Sequence, residues 1–287
     1  MLSVLLFATE IMTAKYDGRL PDENINLPVS HPLKDAATLL FGIAAIFVVA
    51  YFFLGWAAEK AVVNMSYETE RKLLKPFESA LSEMSSTSTS SPEFQRVDAL
   101  FQRVAKQWEN APYKFVLRIT DGPPNAFAFP GGGVVVTKGL LEEIRSENEL
   151  AFILGHELGH FKNRDHLVGL SRTAVSLLFT WATFNMANIG DSTSDFAGFI
   201  NSISDRSAGR SRELAADEFG LELLNKTFGH IDDAERFFER RQKDEAARGL
   251  STPKYFSTHP VSEARIQKMK KLADKRGYVT TGTVTPW

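Results

Sequence analysis

The sequence contains no cysteine among its 287 residues. This absence excludes disulfide bonds, zinc sites built from thiolates and thiol nucleophiles, although it does not identify the compartment. A surplus of one charge is also lacking, because 33 Lys and Arg residues nearly balance 35 Asp and Glu residues. A net charge of −2 creates no overall field that attracts nucleic acid, so we expect no nucleic-acid partner. An apolar content of 44% is ample for a folded core.

Positions 36–58 form a long stretch without any charged residue, AATLLFGIAAIFVVAYFFLGWAA. At ~1.5 Å per residue a helix of this length reaches ~34 Å, which is enough to cross a ~30 Å hydrocarbon core. We therefore predict a single transmembrane helix that contacts a lipid bilayer, with Tyr51 and Trp56 suited to an interface. The alternative is a buried core helix. Basic residues are similar in number on both flanks, so the side of the membrane that carries the rest of the chain stays undecided.

The apolar start of the chain, positions 1–8, lacks a basic leader and is followed by Glu10, so we do not expect a cleaved signal peptide. A second charge-free run covers positions 174–190 and contains several Thr, Ser and Asn residues. We favour a helix there that packs on the catalytic core or dips into the membrane surface. A second membrane span is the alternative.

Apolar spacing of three and four residues predicts a helix over 59–84 and a second amphipathic helix over 94–108. The polar run SSTSTSSP at 85–92 between them is either a linker or a loop from helix to helix. Strand character is confined to three segments, which are 114–120, 125–130 and 134–137. Everything after Lys138 is predicted to be helical. The fold class is therefore α+β, mainly helical, with a small sheet of about three strands.

The pattern H-E-x-x-H occurs at 156–160, within HELGH. Residues four apart lie on one face of a helix, so His156 and His160 can present two imidazole nitrogens to one metal ion. Glu157 then lies near the open coordination position, where it can accept a proton from water activated by the metal. Ser146 followed by Glu149 indicates the start of this helix. The pattern alone remains a hypothesis, because two histidines and a glutamate can also simply occupy a helix face.

Two residues compete to be the third metal ligand. His166 stands where an extended zinc motif places a histidine, but that motif needs a sharp turn, and its usual glycine is replaced by Asn163. Glu213 lies in a stretch of helix-forming composition together with Asp217, four residues later. One of these carboxylates can bind the metal while the other orients a ligand histidine. A carboxylate pair at this spacing is also common on solvated helix surfaces.

Four motifs occur in one order along the chain: NAFAFPGGGVVVTKGLL at 125–141, HELGH at 156–160, ELAAD at 213–217 and THPVSEARI at 258–266. Together they resemble the membrane metallopeptidases of the Ste24 and HtpX type, over roughly residues 114–271. The resemblance implies a zincin-like domain that binds one zinc ion per chain. It also implies an endopeptidase that acts on proteins or peptides, in protein quality control.

The resemblance implies His156, His160 and Glu213 as the zinc ligands, Glu157 as the general base and Asp217 behind the site. His166 then has no role in the site. Two histidines and a carboxylate are an acceptable ligand set that leaves a fourth position for water.

His259 is implied by the resemblance to face the zinc cleft. A histidine there can stabilise the oxyanion or cover the metal at rest, and the alternative is a loop histidine that caps a helix. Arg265 is expected to form a structural ion pair.

Substrate binding is predicted at the strand that begins with Asn125, Ala126 and Phe127. An extended peptide can pair with such a sheet edge through main-chain hydrogen bonds. The alternative is a plain hairpin. The glycines at 131–133 are not a phosphate loop, because no Lys-Ser or Lys-Thr completes that motif.

The predicted organisation is an N-terminal segment at 1–35, the membrane helix at 36–58, a juxtamembrane helix and linker at 59–92 and the zinc metallopeptidase domain at 93–287. The predicted function is hydrolysis of peptide bonds in unfolded or membrane-associated proteins. The alternative is a latent or non-cleaving chaperone or scaffold at the membrane that zinc stabilises. Glu157 disfavours this alternative, because a structural zinc site does not need a general base. The oligomeric state stays open.

Overall fold

The computed structural model describes residues 18, 31–73, 75, 86–184, 209–240, 243, 259 and 263–287. The chain divides into two compact units, residues 1–49 and 50–287. The first unit contains, in its described part, the beginning of a long helix. The second contains the end of that helix and all the other elements described below.

Helix α1, Pro32–Val63, contains the predicted membrane segment and extends beyond it at both ends. It is the one helix in the described part of the chain that is long and apolar enough to cross a membrane. None of its residues is buried, which argues against a core helix.

The predicted continuous helix over 59–84 is interrupted, because the chain leaves the helix at Asn64 and becomes helical again at Tyr67. Ser66 starts the new turn by accepting a hydrogen bond from the Thr69 N–H at 3.1 Å. The positions beyond 75 in this prediction lie outside the described residues.

Helix α2, Pro92–Ala105, follows the serine-rich segment as an ordered helix. Ser91 is its N-cap, and its hydroxyl accepts a hydrogen bond from the Phe94 N–H at 3.1 Å. The helix ends before Trp108, which was expected on the same face but lies in the following turn. The apolar face agrees with the prediction and buries Phe94, Val97, Leu100, Phe101 and Val104.

The sheet has three strands, β1 Val116–Thr120, β2 Ala126–Phe129 and β3 Gly133–Thr137. Their order is β1-β3-β2, with β3 parallel to β1 and antiparallel to β2. All three predicted strands are present; β1 and β2 are shorter than predicted, and β3 begins one residue earlier. Gly131 and Gly132 have φ of 93° and 94°, which explains why glycine occupies this hairpin turn. Strand β2 forms one edge of the sheet and lies against the central helix α4, Glu147–Lys162.

Helix α4 is the centre of the second unit, and every residue from Asn148 to Phe161 is buried. Ser146 caps its start, with the hydroxyl accepting from the Glu149 N–H at 3.1 Å. Other helices whose bounds lie within the described residues are α3 Lys138–Glu143, α5 Asp165–Phe184, α6 Arg210–Phe228 and α7 Glu263–Arg276. The α+β class with a mainly helical chain is thus confirmed.

Helices α4 and α6 cross at small residues. A Cβ on Gly159 would lie 2.7 Å from the Ala216 Cα, and a Cβ on Gly155 would lie 3.1 Å from the Gly220 Cα. Real Cβ atoms are almost never found at the shorter distance, so Gly159 is required for this crossing. The close approach brings the first two turns of α6 beside His156.

Helix α5 packs along the end of α1 within the second unit. Tyr51 and Phe179 make an edge-to-face ring contact at 5.1 Å, and Arg172 donates to Glu59 at 2.9 Å. The predicted helix over 174–190 is therefore present up to Phe184, in contact with α1. Positions 185–190 lie outside the described residues.

The prediction that everything beyond Lys138 is helical is wrong for residues 277–287. Gly277 has φ of 65° and ends α7, as a left-handed residue after a helix does. The chain then runs extended, and Pro286 forms a β-bridge with Ser146 at the start of α4.

Candidate active site

Four buried side chains from three parts of the second unit converge on one point. His156 and His160 come from α4, Glu213 from the first turn of α6, and His259 from the chain before α7. Each offers one ligand atom, and these atoms all lie within 4.8 Å of one another. Such a set can hold a metal ion.

The distances between these atoms test whether zinc fits. His156 Nε2 lies 3.1 Å from His160 Nε2 and 3.2 Å from His259 Nδ1, and His160 Nε2 lies 3.4 Å from His259 Nδ1. The Glu213 carboxylate lies 3.5 and 3.3 Å from the His156 and His259 nitrogens through Oε2, and 3.6 Å from His160 Nε2 through Oε1. Ligand atoms at ~2.0–2.1 Å from a tetrahedral zinc are ~3.3 Å apart. The spacing of the three histidine nitrogens agrees with that value, and the Glu213 carboxylate lies beside the same point, so the four side chains fit a zinc site.

Glu157 is fully buried beside this group. Among the described residues neither of its carboxylate oxygens has a hydrogen-bond partner, and Oε1 lies 3.6 Å from His259 Nε2. Glu213 Oε1 is likewise buried without a hydrogen bond. Buried carboxylate oxygens without partners are costly, which is consistent with a site that binds a cation and water.

A carboxylate holds each of the two α4 histidines from behind. His156 Nδ1 donates to Asp217 Oδ1 at 2.9 Å, and His160 Nδ1 donates to Asp165 Oδ2 at 2.9 Å. These bonds leave both Nε2 atoms pointing at the centre, as metal-binding histidines require. Asp217 was predicted from its spacing to Glu213. Asp165 was not predicted, and its place five residues after His160 is the only signal the sequence carries for it.

Arg265 was predicted to form a structural ion pair. It does so, and it also contacts a candidate metal ligand. Its Nε and Nη2 donate to the two Asp217 oxygens at 2.6 Å each, and its Nη1 lies 2.9 Å from Glu213 Oε2. It therefore binds one candidate ligand and the carboxylate that orients another. The spacing of its motif does not reveal this contact, because α7 and α6 are distant in sequence.

The charges of the site stabilise its ionised carboxylates. Burial opposes ionisation of Glu213, but His259 and His156 hold the pKa of its carboxyl well below the usual range. Burial likewise opposes ionisation of Asp217, but Arg265 and His156 lower its pKa. Burial opposes protonation of His156, yet hydrogen bonds to Asp217 and Glu213 outweigh it and raise its pKa to about 9.

His166 lies away from the convergent group. Its Nε2 donates to Glu70 Oε1 at 2.9 Å, in a buried cluster that also contains Arg164 and Tyr113. The left-handed residue after α4 is Arg164, with φ of 59°, whereas Asn163 has φ of −86°. The turn therefore differs from the one that the extended motif would need at Asn163.

The predicted substrate strand is present as β2, at the edge of the sheet that lies against α4. Asn125 precedes it, is 2% exposed, and both donates to and accepts from Thr137 of β3 through its main chain. Ala126 is fully buried, and Phe127 is partly exposed. The Gly-rich hairpin after β2 is also present. The substrate-binding role of the strand stays a prediction.

Comparison with known proteins agrees with these features. The family model described as Peptidase family M48 matches residues 91–273. The Protease HtpX homolog of Thermococcus kodakarensis is 33% identical in an alignment of 204 positions that covers 58% of this chain and 70% of that protein. The homolog of Pelotomaculum thermopropionicum is 30% identical, over 55% of this chain and 69% of that protein.

The mitochondrial metalloendopeptidase OMA1 of Danio rerio is 26% identical in an alignment of 193 positions that covers 62% of this chain and 39% of that protein. The chain thus spans well under half of this relative. The predicted resemblance to HtpX-type enzymes is confirmed by the family match, which covers more than half of the chain and all of the convergent residues. The chain belongs to peptidase family M48 and is a zinc metallopeptidase.

Proposed function

We propose that this protein is a membrane-anchored zinc endopeptidase that hydrolyses peptide bonds of unfolded or membrane-associated proteins. The observation that carries the proposal is the convergence of four buried side chains, with ligand atoms within 4.8 Å of one another, beside the Glu157 carboxylate, which has no hydrogen bond among the described residues. A purely structural zinc site has no use for a buried base at this position. Helix α1 supplies the proposed anchor.

His156, His160 and Glu213 are the residues that hold the zinc. Zinc bound there supplies a Lewis acid that activates water and polarises the peptide carbonyl. Glu157 accepts a proton at its carboxylate when the water oxygen attacks the carbonyl carbon, and it returns this proton to the amine nitrogen when the C–N bond breaks. Asp217 and Asp165 keep the two imidazoles oriented throughout.

Substrate is proposed to bind as an extended strand beside Asn125, Ala126 and Phe127. Because β2 has only β3 as a partner among the described strands, a peptide can add to its outer edge through main-chain hydrogen bonds. Such binding recognises an extended backbone more than particular side chains. It therefore suits substrates that are unfolded.

The test is zinc content and casein cleavage of the purified full chain in detergent. Glu157→Gln is expected to keep zinc and lose cleavage, whereas Glu213→Gln is expected to lose both. His166→Ala is the matched control and is expected to keep both, because His166 contacts Glu70 instead. Loss of zinc from Glu157→Gln, or full zinc in Glu213→Gln, would overturn the assigned roles.

A latent state is a second candidate, and the position of His259 favours it. Its Nδ1 lies 3.2, 3.4 and 3.3 Å from His156 Nε2, His160 Nε2 and Glu213 Oε2, in the place that an attacking water needs. Its displacement by substrate would open that place and free the imidazole to donate a hydrogen bond to the oxyanion. His259→Ala is then expected to raise the cleavage rate of a small unfolded substrate. A non-cleaving scaffold predicts no cleavage by either protein.

The membrane anchor is tested separately. The full chain is expected to remain with membranes washed in alkaline carbonate. A variant with Phe47→Lys and Val48→Lys is expected to be released, because charges within the hydrocarbon core are costly. Release of the wild-type protein would contradict the proposed membrane anchor. The assignment as a peptidase would not be affected by that result.

A further inference from the structure

A line of alternating charges joins the end of α1 to a zinc ligand. Glu59 Oε1 accepts from Arg212 Nη2 at 3.4 Å, and Arg212 Nε lies 3.7 Å from Asp165 Oδ1. The other Asp165 oxygen accepts from His160 Nδ1 at 2.9 Å. Glu59 is the first charged residue after the apolar segment of α1.

Arg212 also lies in α6, the helix that carries the candidate ligand Glu213. It directly precedes Glu213, in the first turn of α6. The N-cap of that helix is Gly209, which provides no side-chain hydrogen bond to the turn. The ion pairs of Arg212 with Glu59 and Asp165 therefore hold the turn that presents Glu213.

The turn between α4 and α5 is hydrogen-bonded to the C-terminal end of α1. Arg164 Nη1 donates to the Val63 carbonyl at 2.9 Å, and its Nη2 donates to Glu70 at 2.8 Å. A cation at the C-terminus of a helix is favourable, because the last carbonyls carry a partial negative charge. Arg164 directly precedes Asp165, so the end of α1 constrains this carboxylate through the backbone as well.

We infer that Glu59 and Arg212 are positioning residues of the zinc centre, and that the last turns of α1 help to set the geometry of His160 and Glu213. An ordinary reading is that Glu59, whose side chain is 33% exposed, makes surface ion pairs of little consequence. The two interpretations predict different zinc affinities for variants of Glu59 and Arg212. The inference rests on the proposed zinc site but not on peptide cleavage.

The test uses the full chain in detergent with Glu157→Gln as the background, so that its result does not depend on activity. Zinc affinity is measured by chelator competition, and the visible absorption of the cobalt-substituted protein reports ligand geometry. The variants are Glu59→Gln, Arg212→Gln, their combination, and Arg212→Lys as the conservative replacement. Glu218→Gln is the matched control, because it removes an exposed ion pair with Arg276 on the outside of α6. The unfolding temperature of each metal-free protein checks its fold.

Each single variant is expected to weaken zinc binding about two- to fivefold, which corresponds to the energy of a partly exposed ion pair. Each is also expected to change the cobalt spectrum. The combined variant is expected to lose no more than Arg212→Gln alone, because the two residues act through one connection. Arg212→Lys is expected to recover part of the affinity.

The inference is overturned if adding Glu59→Gln leaves the zinc affinity and the cobalt spectrum of the Glu157→Gln background protein unchanged. The inference is also overturned if the fold-losses of zinc affinity in Glu59→Gln and Arg212→Gln multiply in the combined variant. Multiplication would mean that the two residues act independently and not through one connection. If no variant, including the background protein, binds zinc, the zinc site itself fails. That outcome is distinct from a failure of the positioning role.

Discussion

His156 and Asp217, which are 61 residues apart in sequence, are joined by a hydrogen bond of 2.9 Å from Nδ1 to Oδ1. The bond is fully buried, and Arg265 holds the carboxylate from its other side. It determines which nitrogen of the imidazole faces the metal position. Residues behind a metal ligand therefore affect binding without touching the ion.

Asp217→Asn is expected to weaken zinc binding by about ten- to a hundredfold, because a neutral amide is a poorer acceptor for the imidazole N–H. Chelator competition measures this loss. Asp274→Asn, at an exposed position of α7, serves as the control and should bind zinc like the wild type. An unchanged affinity in Asp217→Asn would show that the hydrogen bond does not support the ligand.

Gly159→Ala is expected to destabilise the protein by about 1–3 kcal/mol, because the added methyl group overlaps Ala216 and forces α4 and α6 apart. Zinc affinity should fall as well, since the crossing brings Glu213 to the histidines. Thermal unfolding and zinc titration measure the two effects.

Gly169→Ala is the matched control for this substitution. It adds the same methyl group within α5, where nothing described lies within 4 Å of the new Cβ. It should leave stability unchanged or raise it by up to about 1 kcal/mol. Equal effects of the two substitutions would contradict the close-crossing argument.

Zinc binding is expected to release a proton, because a histidine ligand must be neutral whereas the pKa of metal-free His156 is raised to about 9. Protons compete with zinc below that pKa, so affinity should increase about tenfold for each pH unit well below 9 and level off as the pH approaches 9. Chelator competition at several pH values tests the sign and the slope. Affinity independent of pH between 6 and 8 would be inconsistent with this protonation.

Glu70→Gln is expected to destabilise the protein at neutral pH by removing the anion that binds Arg164 and His166. Burial raises the pKa of Glu70, but His166 and Arg164 outweigh burial and lower it below the usual 4.5. A lowered folded-state pKa gives stability that is present above pH 4.5 and is lost as the pH falls through the folded value. The difference between wild type and variant should therefore be largest at neutral pH and shrink in acid.

Thermal unfolding of the two proteins from pH 7 downward measures this difference. Glu68→Gln is the control, because Glu68 pairs with Lys72 at an exposed site. Its effect should be small at every pH. A Glu70→Gln difference that grows in acid would have the wrong sign for a carboxylate that is charged in the folded protein.

The local elements were largely predictable. A helix repeats every 3.6 residues, so apolar spacing indicated the buried face of α2, and the β-branched and aromatic composition of three segments indicated the strands. Ser146 marked the start of α4 for the same local reason, whereas Ser91, which caps α2 in the same way, lay in the run that was predicted only as a linker or loop. Boundaries were less accurate, as at the break after Val63, because a single capping serine decides them.

The sequence by itself determined that His156, Glu157 and His160 share one helix, since their spacing and the helical period require it. It also indicated an apolar helix long enough to span a bilayer. Only the tertiary structure decided that Asp165 and Arg265 join the site, that His166 binds Glu70, and that His259 lies among the candidate ligands. The physical reason is that these contacts depend on the distance at which α4, α6 and the end of α1 pack. That distance is set by side-chain volumes at the crossings, and no local pattern records it.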